Sequence, residues 1–460
     1  MILKNASIAD PLRKDVFAGD IRIADGKIEE ISSSVRNVGT EDVFDVSGKL
    51  VMPGLVDIHV HVSHCPEAYY MLARAGVTTA LDLWGMPEKM VSGFRTHGSG
   101  LTIAFLYPLI AGETLSSDNP PVSEIEKVID YALKNGAMGL KILGGHYPLR
   151  REAVGRVIEI AAQKHCWVSV HAGTIETPGN IHGFEELVKL AGNNPVHLAH
   201  INSYCRGTAE SSPLEEAVRA VKALQSVPRC CSESYLAMIN GTDGNLDANG
   251  IPKSEVTKRC LIKGGFTADS DGMKKAILAG WAKVHFCDPE RNDVIFPPPG
   301  EALDYYMKKN TDTFMSFAVN SPLSAIPLAL AKDDDGSFVV DALATDGGAI
   351  PRNVTLKQGL ALVNYGALTI NELALKASLA PARLMGLKNK GFIAPGADAD
   401  IIVVDPLTAD VELVISGGRL IVKNGAVCGR GGSFAGRDEG EKFFSSQSVP
   451  FVGTDPEWLK

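Results

Sequence analysis

Between residues 55 and 348 one pattern repeats. A short apolar run rich in β-branched residues is followed by a stretch with apolar residues at helical spacing. The runs are 55–61, 77–83, 101–109, 138–143, 167–173, 196–202, 230–236 and 341–348. Stretches such as SEIEKVIDYALKNG and REAVGRVIEIAAQKH lie between them, the first with a Ser at its start and a Gly at its end. About eight alternations of strand and helix predict a closed (β/α)8 barrel with its helices outside. Lys141 and His171 are 30 residues apart, and His171 and His200 are 29 apart. A barrel of ~250 residues has units of about 31, so these three residues are expected at equivalent strand ends. From His200 to Asp346 the distance is 146 residues. Two units would need roughly 62, so a large insertion is expected, placed at about 240–320 and able to cover the barrel mouth.

Both ends of the chain have a different texture. MILKNASIAD and DIRIADGKIEEI at the start, and DADIIVVDP and VELVISGGRL near the end, alternate like strands and are separated by Asp-Gly and Ser-Gly turns. They predict a small β-sandwich built from both termini, residues 1–52 with 394–460, around a catalytic barrel at 53–393. A Gly- and Ser-rich tail from Gly429 is expected to pack on that domain or on a neighbouring subunit.

Side chains two apart on a strand face the same way, so His59 and His61 in VDIHVH can point together into the barrel. That pair alone is a weak sign of metal. His171 in VSVHAG, His200 in HLAHIN and Asp346 in LATDGG also close apolar runs. Each alone is more often a hydrogen-bonded core residue. Five such groups on one rim are hard to explain as packing, because buried imidazoles and carboxylates cost several kcal/mol unless paired or metal-bound. Lys141 in GLKIL is flanked by apolar residues, where its ammonium is disfavoured and its pKa should fall. Its neutral amine could react with carbon dioxide to give a carbamate able to bridge two metal ions. The plainer alternative is a lysine paired with Asp or Glu.

The set PGLVDIHVH, GLKIL, VHAG, HLAH and ATDG resembles the amidohydrolase superfamily. Within it, the set resembles the cyclic-amidohydrolase group with a carboxylated lysine: dihydroorotases, hydantoinases and allantoinases. FIAPGADADIIVVDP is similar to the re-entry strand that follows the barrel in this superfamily, and ASLAPARLMGL to the helix before it. The resemblance implies that His59, His61 and Asp346 bind one metal, that His171 and His200 bind the second, and that carboxylated Lys141 bridges them. It implies a metal-bridging hydroxide that attacks an amide carbon, with Asp346 as general base and then acid. Zinc is the expected metal, and manganese, nickel and iron remain open. The resemblance also gives Tyr147 or His146 as oxyanion partner, and a dimer or tetramer as the assembly. His64, Arg206, Ser234 and Tyr235 are weaker candidates for substrate contacts; Arg206 could hold a carboxylate bidentately.

The chain departs from the group in two places. The eighth run continues as TDGGAIP, and VHVSHCPEA lacks the Arg- and Asn-bearing signature that follows the paired histidines in dihydroorotases. Both absences argue against orotate chemistry, and the reading is a hydrolase of a C–N bond in a cyclic amide, ureide or N-acyl small molecule. A mononuclear deaminase with Glu176 as its acid, an N-acyl-D-amino-acid deacylase-like enzyme and a non-enzymatic relative stand as alternatives.

A formal net charge of -9 disfavours nucleic acid and anionic membranes as partners. Neither a membrane span nor a leader peptide is expected. The 8 cysteines, none in CxxC spacing, are expected to be reduced, as in a cytoplasmic protein.

Overall fold

A computed structural model describes residues 1–37, 39, 41–209, 211–227 and 229–460. Eight parallel strands form the barrel. They are β1 (Leu55–His61), β2 (Val77–Asp82), β3 (Ser99–Leu109), β4 (Gly139–Leu143), β5 (Trp167–His171), β6 (Val196–Leu198), β7 (Cys230–Ser234) and β8, split into Ala342–Leu343 and Gly347–Gly348. Each pairs in parallel with its successor. The two halves of β8 pair with β7 and β1 respectively, which closes the ring. The expected barrel is present.

Its helices follow from the spacing of their apolar residues. In the helix Val122–Lys134, Ile125, Ile129, Ala132 and Leu133 are buried on one face. That helix begins one residue before Ser123, which therefore does not cap it, and it ends just before Gly136 at φ 91°. The helix Pro213–Leu224 has a full capping box between Ser212 and Glu215.

Both termini build a second, nine-stranded sheet. Leu50–Pro53 lies between Ile2–Ile8 and Ile401–Val404, parallel to the first and antiparallel to the second. Its tight turns use residues able to adopt positive φ, Asp25-Gly26 at 50° and 78° and Gly417-Gly418 at 53° and 75°. Leu3, Ile21, Val51, Ile401 and Val403 lie in its own core. Where the chain returns from barrel to sheet, Lys390 is buried against Asp400 and Asp398. Removing one partner of a buried pair leaves the other charge stranded. Lys390→Met is therefore expected to lower unfolding free energy by about 3–5 kcal/mol, read from urea denaturation.

The last thirty residues leave that sheet. Gly431–Gly436 pairs in parallel with the first half of β3, where Phe434 stacks on Phe444 at 4.6 Å. Trp458 packs edge-on against Trp167 at 4.9 Å. The tail thus closes the barrel end opposite the strand carboxyl termini.

Between β7 and β8 a separate small unit forms, with helices Glu255–Lys263, Ser270–Leu278 and Pro299–Lys308 and an antiparallel sheet centred on Phe314–Ser316. Leu261, Met273, Ile277, Tyr306 and Met315 supply its core. Cys287 of this unit lies beside Cys65 in the loop after β1, with Cα atoms 6.5 Å apart. The partners are 222 residues apart, and only the placement of the insertion over the mouth brings them together. Cys166, Cys205, Cys230, Cys231, Cys260 and Cys428 are free. No helix among the described residues is long and apolar enough to cross a membrane.

Candidate metal centre

At the carboxyl ends of the strands lies a narrow pocket of about 40 Å³. Its wall contains His59, His61, Lys141, His171, His200 and Asp346 together. Trp84, Leu143, Val256 and Phe314 add apolar surface, and Asn240 to Asp243 of the insertion add a polar edge. A wider cavity of about 550 Å³ adjoins it and shares His64, Trp84, Asp243, Phe314 and Ile350.

The histidines are brought together by strand geometry. His59 and His61 are alternate residues of β1, with ring centroids 5.4 Å apart. His59 is 5.1 Å from His200, and His200 is 4.3 Å from His171. Asp346 sits in the gap of β8, with Oδ1 at 2.9 Å from Nε2 of His61 and 3.2 Å from Nε2 of His59. His200 and Asp346 both hold left-handed backbone, at φ 36° and 50°. Such a conformation costs about 1–2 kcal/mol for a residue with a Cβ. It persists where surrounding bonds fix it, commonly at functional sites. At these positions it ends the strand early and turns the side chain into the pocket. That is why β6 stops at Leu198 rather than at 202.

Beneath the site, Asp57 accepts from the backbone N–H groups of His59 and Thr345 and from the Thr345 hydroxyl, tying β1 to β8. Burial raises its pKa to about 7. Burial also pushes His59, His171 and His200 well below the usual imidazole range, which leaves them neutral and able to ligate. Burial alone would raise Asp346, but Arg352 and the surrounding histidines hold its carboxyl well below its usual value. The Arg352 guanidinium lies 2.5 Å from Asp346 Oδ2, and its Nε donates to the Asp346 carbonyl at 2.6 Å. Lys141 is buried and makes one hydrogen bond, to Ser169 Oγ at 3.2 Å, and no ion pair among the described residues. Burial pulls its pKa down to about 8, despite the nearby Glu233 and Asp346.

The weaker candidates divide. His146 lines the pocket beside His171 at 5.0 Å, with Nδ1 bonded to Ser254 Oγ. Tyr147 stands outside it, at the wider cavity, and donates to Asp243 at 2.5 Å. His64 is stacked between His61 and Phe314. Arg206 and Tyr235 line the pocket, and Asn320 links them by bonding Nε of the first and the hydroxyl of the second. Ser234 is buried and donates to Asn202, away from the pocket. Glu176, the acid a deaminase reading would need, is exposed and accepts from the Arg151 backbone.

Two residues escape the sequence reading. Arg352 follows Asp346 at no diagnostic spacing, and its burial against that carboxylate appears only in the fold. Glu233 lies in the seventh apolar run with no local sign of contact with a ligand; its Oε1 lies 2.5 Å from His59 Nδ1.

Residues 301–430 match the amidohydrolase family model. The chain is 26% identical over 432 residues to a dihydroorotase of Pelotomaculum thermopropionicum, covering 88% of this chain and 89% of that one. It is 24% identical to a dihydroorotase of Pyrococcus horikoshii, covering 85% and 80%. Among solved structures, an N-acyl-D-glutamate deacylase from Bordetella bronchiseptica, determined with zinc, superposes with a TM-score of 0.64 at 15% identity, over 94% of this chain and 98% of that one. A dihydropyrimidinase from Brevibacillus agri gives 0.62 at 15% identity, over 99% and 98%. The structural likenesses bear on the fold. The sequence matches make the chain similar to the amidohydrolase family over residues 301–430 and to dihydroorotases over most of its length, and with the histidine-lined strand ends they indicate a hydrolase acting on C–N bonds.

Proposed function

We propose that the protein hydrolyses an amide C–N bond in a cyclic amide, ureide or N-acyl compound at a centre of two divalent metal ions. The observation that carries this reading is the convergence of six groups from β1, β4, β5, β6 and β8 on one pocket. The residues fit such ions. Nδ1 of His61 and Nδ1 of His200 are buried without a hydrogen-bond partner among the described residues. His59, His200 and Asp346 each offer a ligand atom within 4.8 Å of the others. Imidazole with carboxylate suits zinc.

His59, His61 and Asp346 would hold one ion, His171 and His200 the other, and a carbamate on Lys141 both. That carbamate forms in two steps: the ammonium loses one proton to give the neutral amine, whose nitrogen then adds to carbon dioxide as one C=O π bond opens and a second proton leaves, so that a buried cation becomes an anion. When bound, the ions supply a water acidified to near neutrality and a Lewis acid for the carbonyl oxygen. Arg352 fixes Asp346 Oδ2, so Oδ1 keeps its aim toward the ligands. Asp346 takes the proton of the attacking water as the C–O bond forms, and gives it to the nitrogen as the C–N bond breaks. His146 is the better-placed oxyanion partner, because the Tyr147 hydroxyl is committed to Asp243. Among the described residues Arg206 donates from its side chain only through Nε, which leaves the ends of its guanidinium to take a substrate carboxylate in a fork.

The relatives and fold neighbours define the test panel: dihydroorotate, hydantoins, dihydropyrimidines and N-acyl-D-amino acids. Zinc-loaded protein is expected to turn over at least one class. Chelation should remove at least ~10²-fold of the activity, since it removes both the nucleophile's activation and the carbonyl's polarisation, and zinc should restore it. Folded protein that binds no divalent metal would overturn the reading.

A further inference from the structure

We infer that Glu233 is a positioning residue for both metal subsites, acting through a single carboxylate oxygen. The inference rests on the two-ion reading above. Glu233 lies on β7 with its side chain wholly buried. Its Oε1 is 2.5 Å from Nδ1 of His59 and 2.7 Å from the backbone N of His200. These two histidines belong to different proposed subsites.

Each bond constrains a ligand. A carboxylate oxygen accepts, so Nδ1 of His59 carries the hydrogen and Nε2 carries the lone pair. Nε2 is also the atom that faces Asp346, at 3.2 Å. A carboxylate behind a ligating imidazole sets its tautomer and its ring orientation. The second bond fixes a backbone. His200 holds φ 36°, and Oε1 satisfies the N–H that this left-handed residue turns inward. Without that acceptor the residue would relax, and its ring would swing from its place 4.3 Å from His171.

The rest of Glu233 has no competing task. Among the described residues Oε2 has no hydrogen-bond partner. His197 lies below, its Nε2 at 3.8 Å from Oε1 and likewise without a partner. No Lys or Arg forms an ion pair with Glu233 among the described residues. The carboxylate is thus held in the barrel by ligands, one from each subsite.

Zinc binding to apo-protein by chelator competition tests this. Glu233→Gln keeps the shape and removes the charge. Both binding steps are expected to weaken about tenfold or more, the usual loss when a ligand's supporting group is changed. The apo-protein should unfold at a denaturant concentration no lower than wild type. Glu233→Asp keeps the charge but withdraws the oxygen, and should also weaken both steps; it serves if the glutamine variant does not fold. His171→Ala, which removes a ligand from one subsite only, gives the pattern for a single weakened step. Wild-type affinity in either step of the Glu233 variants overturns the inference and leaves the two-ion reading intact. Wild-type protein that takes up no zinc removes both.

Discussion

Replacing Lys141 with alanine is expected to lower metal content and to cut turnover by at least ~10²-fold, beyond the loss typical for groups that merely support a ligand. An isolated ammonium in a barrel interior costs several kcal/mol, and Lys141 has only one hydroxyl to offset that cost. Conversion to a carbamate would remove the stranded cation and place two oxygens among four histidines and Asp346. Two further measurements separate this from an ordinary buried lysine. Apo wild-type protein reloaded with zinc in carbon dioxide-free buffer should regain little activity, and excess bicarbonate should restore it. The same manipulation should leave Lys141→Ala unchanged. The apo form of Lys141→Met should unfold at no lower denaturant concentration than wild type, since it loses an unpaired charge and keeps the volume. Full activity and metal content in Lys141→Ala would return the site to a mononuclear reading.

The parts of this centre that can be read in the chain are those written locally. His59 and His61 advertise themselves by the two-residue period of a strand, and Lys141, His171 and His200 by the length of a barrel unit. Asp346 shows through the apolar run it closes. What cannot be read is made by contacts between distant segments. Glu233 and His59 are 174 residues apart, yet they meet because β7 and β1 both point side chains to the barrel axis. Arg352 is near Asp346 in the chain, but its burial depends on Ile239, whose carbonyl it also binds at 3.0 Å. The insertion could be inferred from length alone. Its strands of two and three residues carry no period to detect, so neither its fold nor the meeting of Cys287 with Cys65 could be foreseen. The left-handed backbone at His200 is equally silent, because no glycine stands there to mark it.

Asp346→Asn is expected to reduce kcat by about 10²–10⁴-fold at saturating zinc, the contribution of a positioned general base and acid. The substitution preserves shape, so the loss reports proton transfer provided the metal is present. Arg352 makes the second condition worth measuring. In the wild type its guanidinium holds Oδ2 and leaves Oδ1 toward His59 and His61. An asparagine amide has one acceptor, and Arg352 offers only donors. The amide oxygen should turn to the guanidinium and the NH2 to the ligands, which weakens the ion beside His59 and His61. Zinc affinity should therefore fall in the same variant, and the kinetic loss must be read above the new dissociation constant. The double variant Asp346→Asn with Arg352→Met frees the amide to reverse, and should recover zinc affinity while kcat stays low. Recovery of both together would assign Asp346 to metal binding alone and move the proton to another group lining the pocket, such as His146. A single variant that keeps kcat within about tenfold of wild type at full zinc occupancy would exclude Asp346 as the base outright.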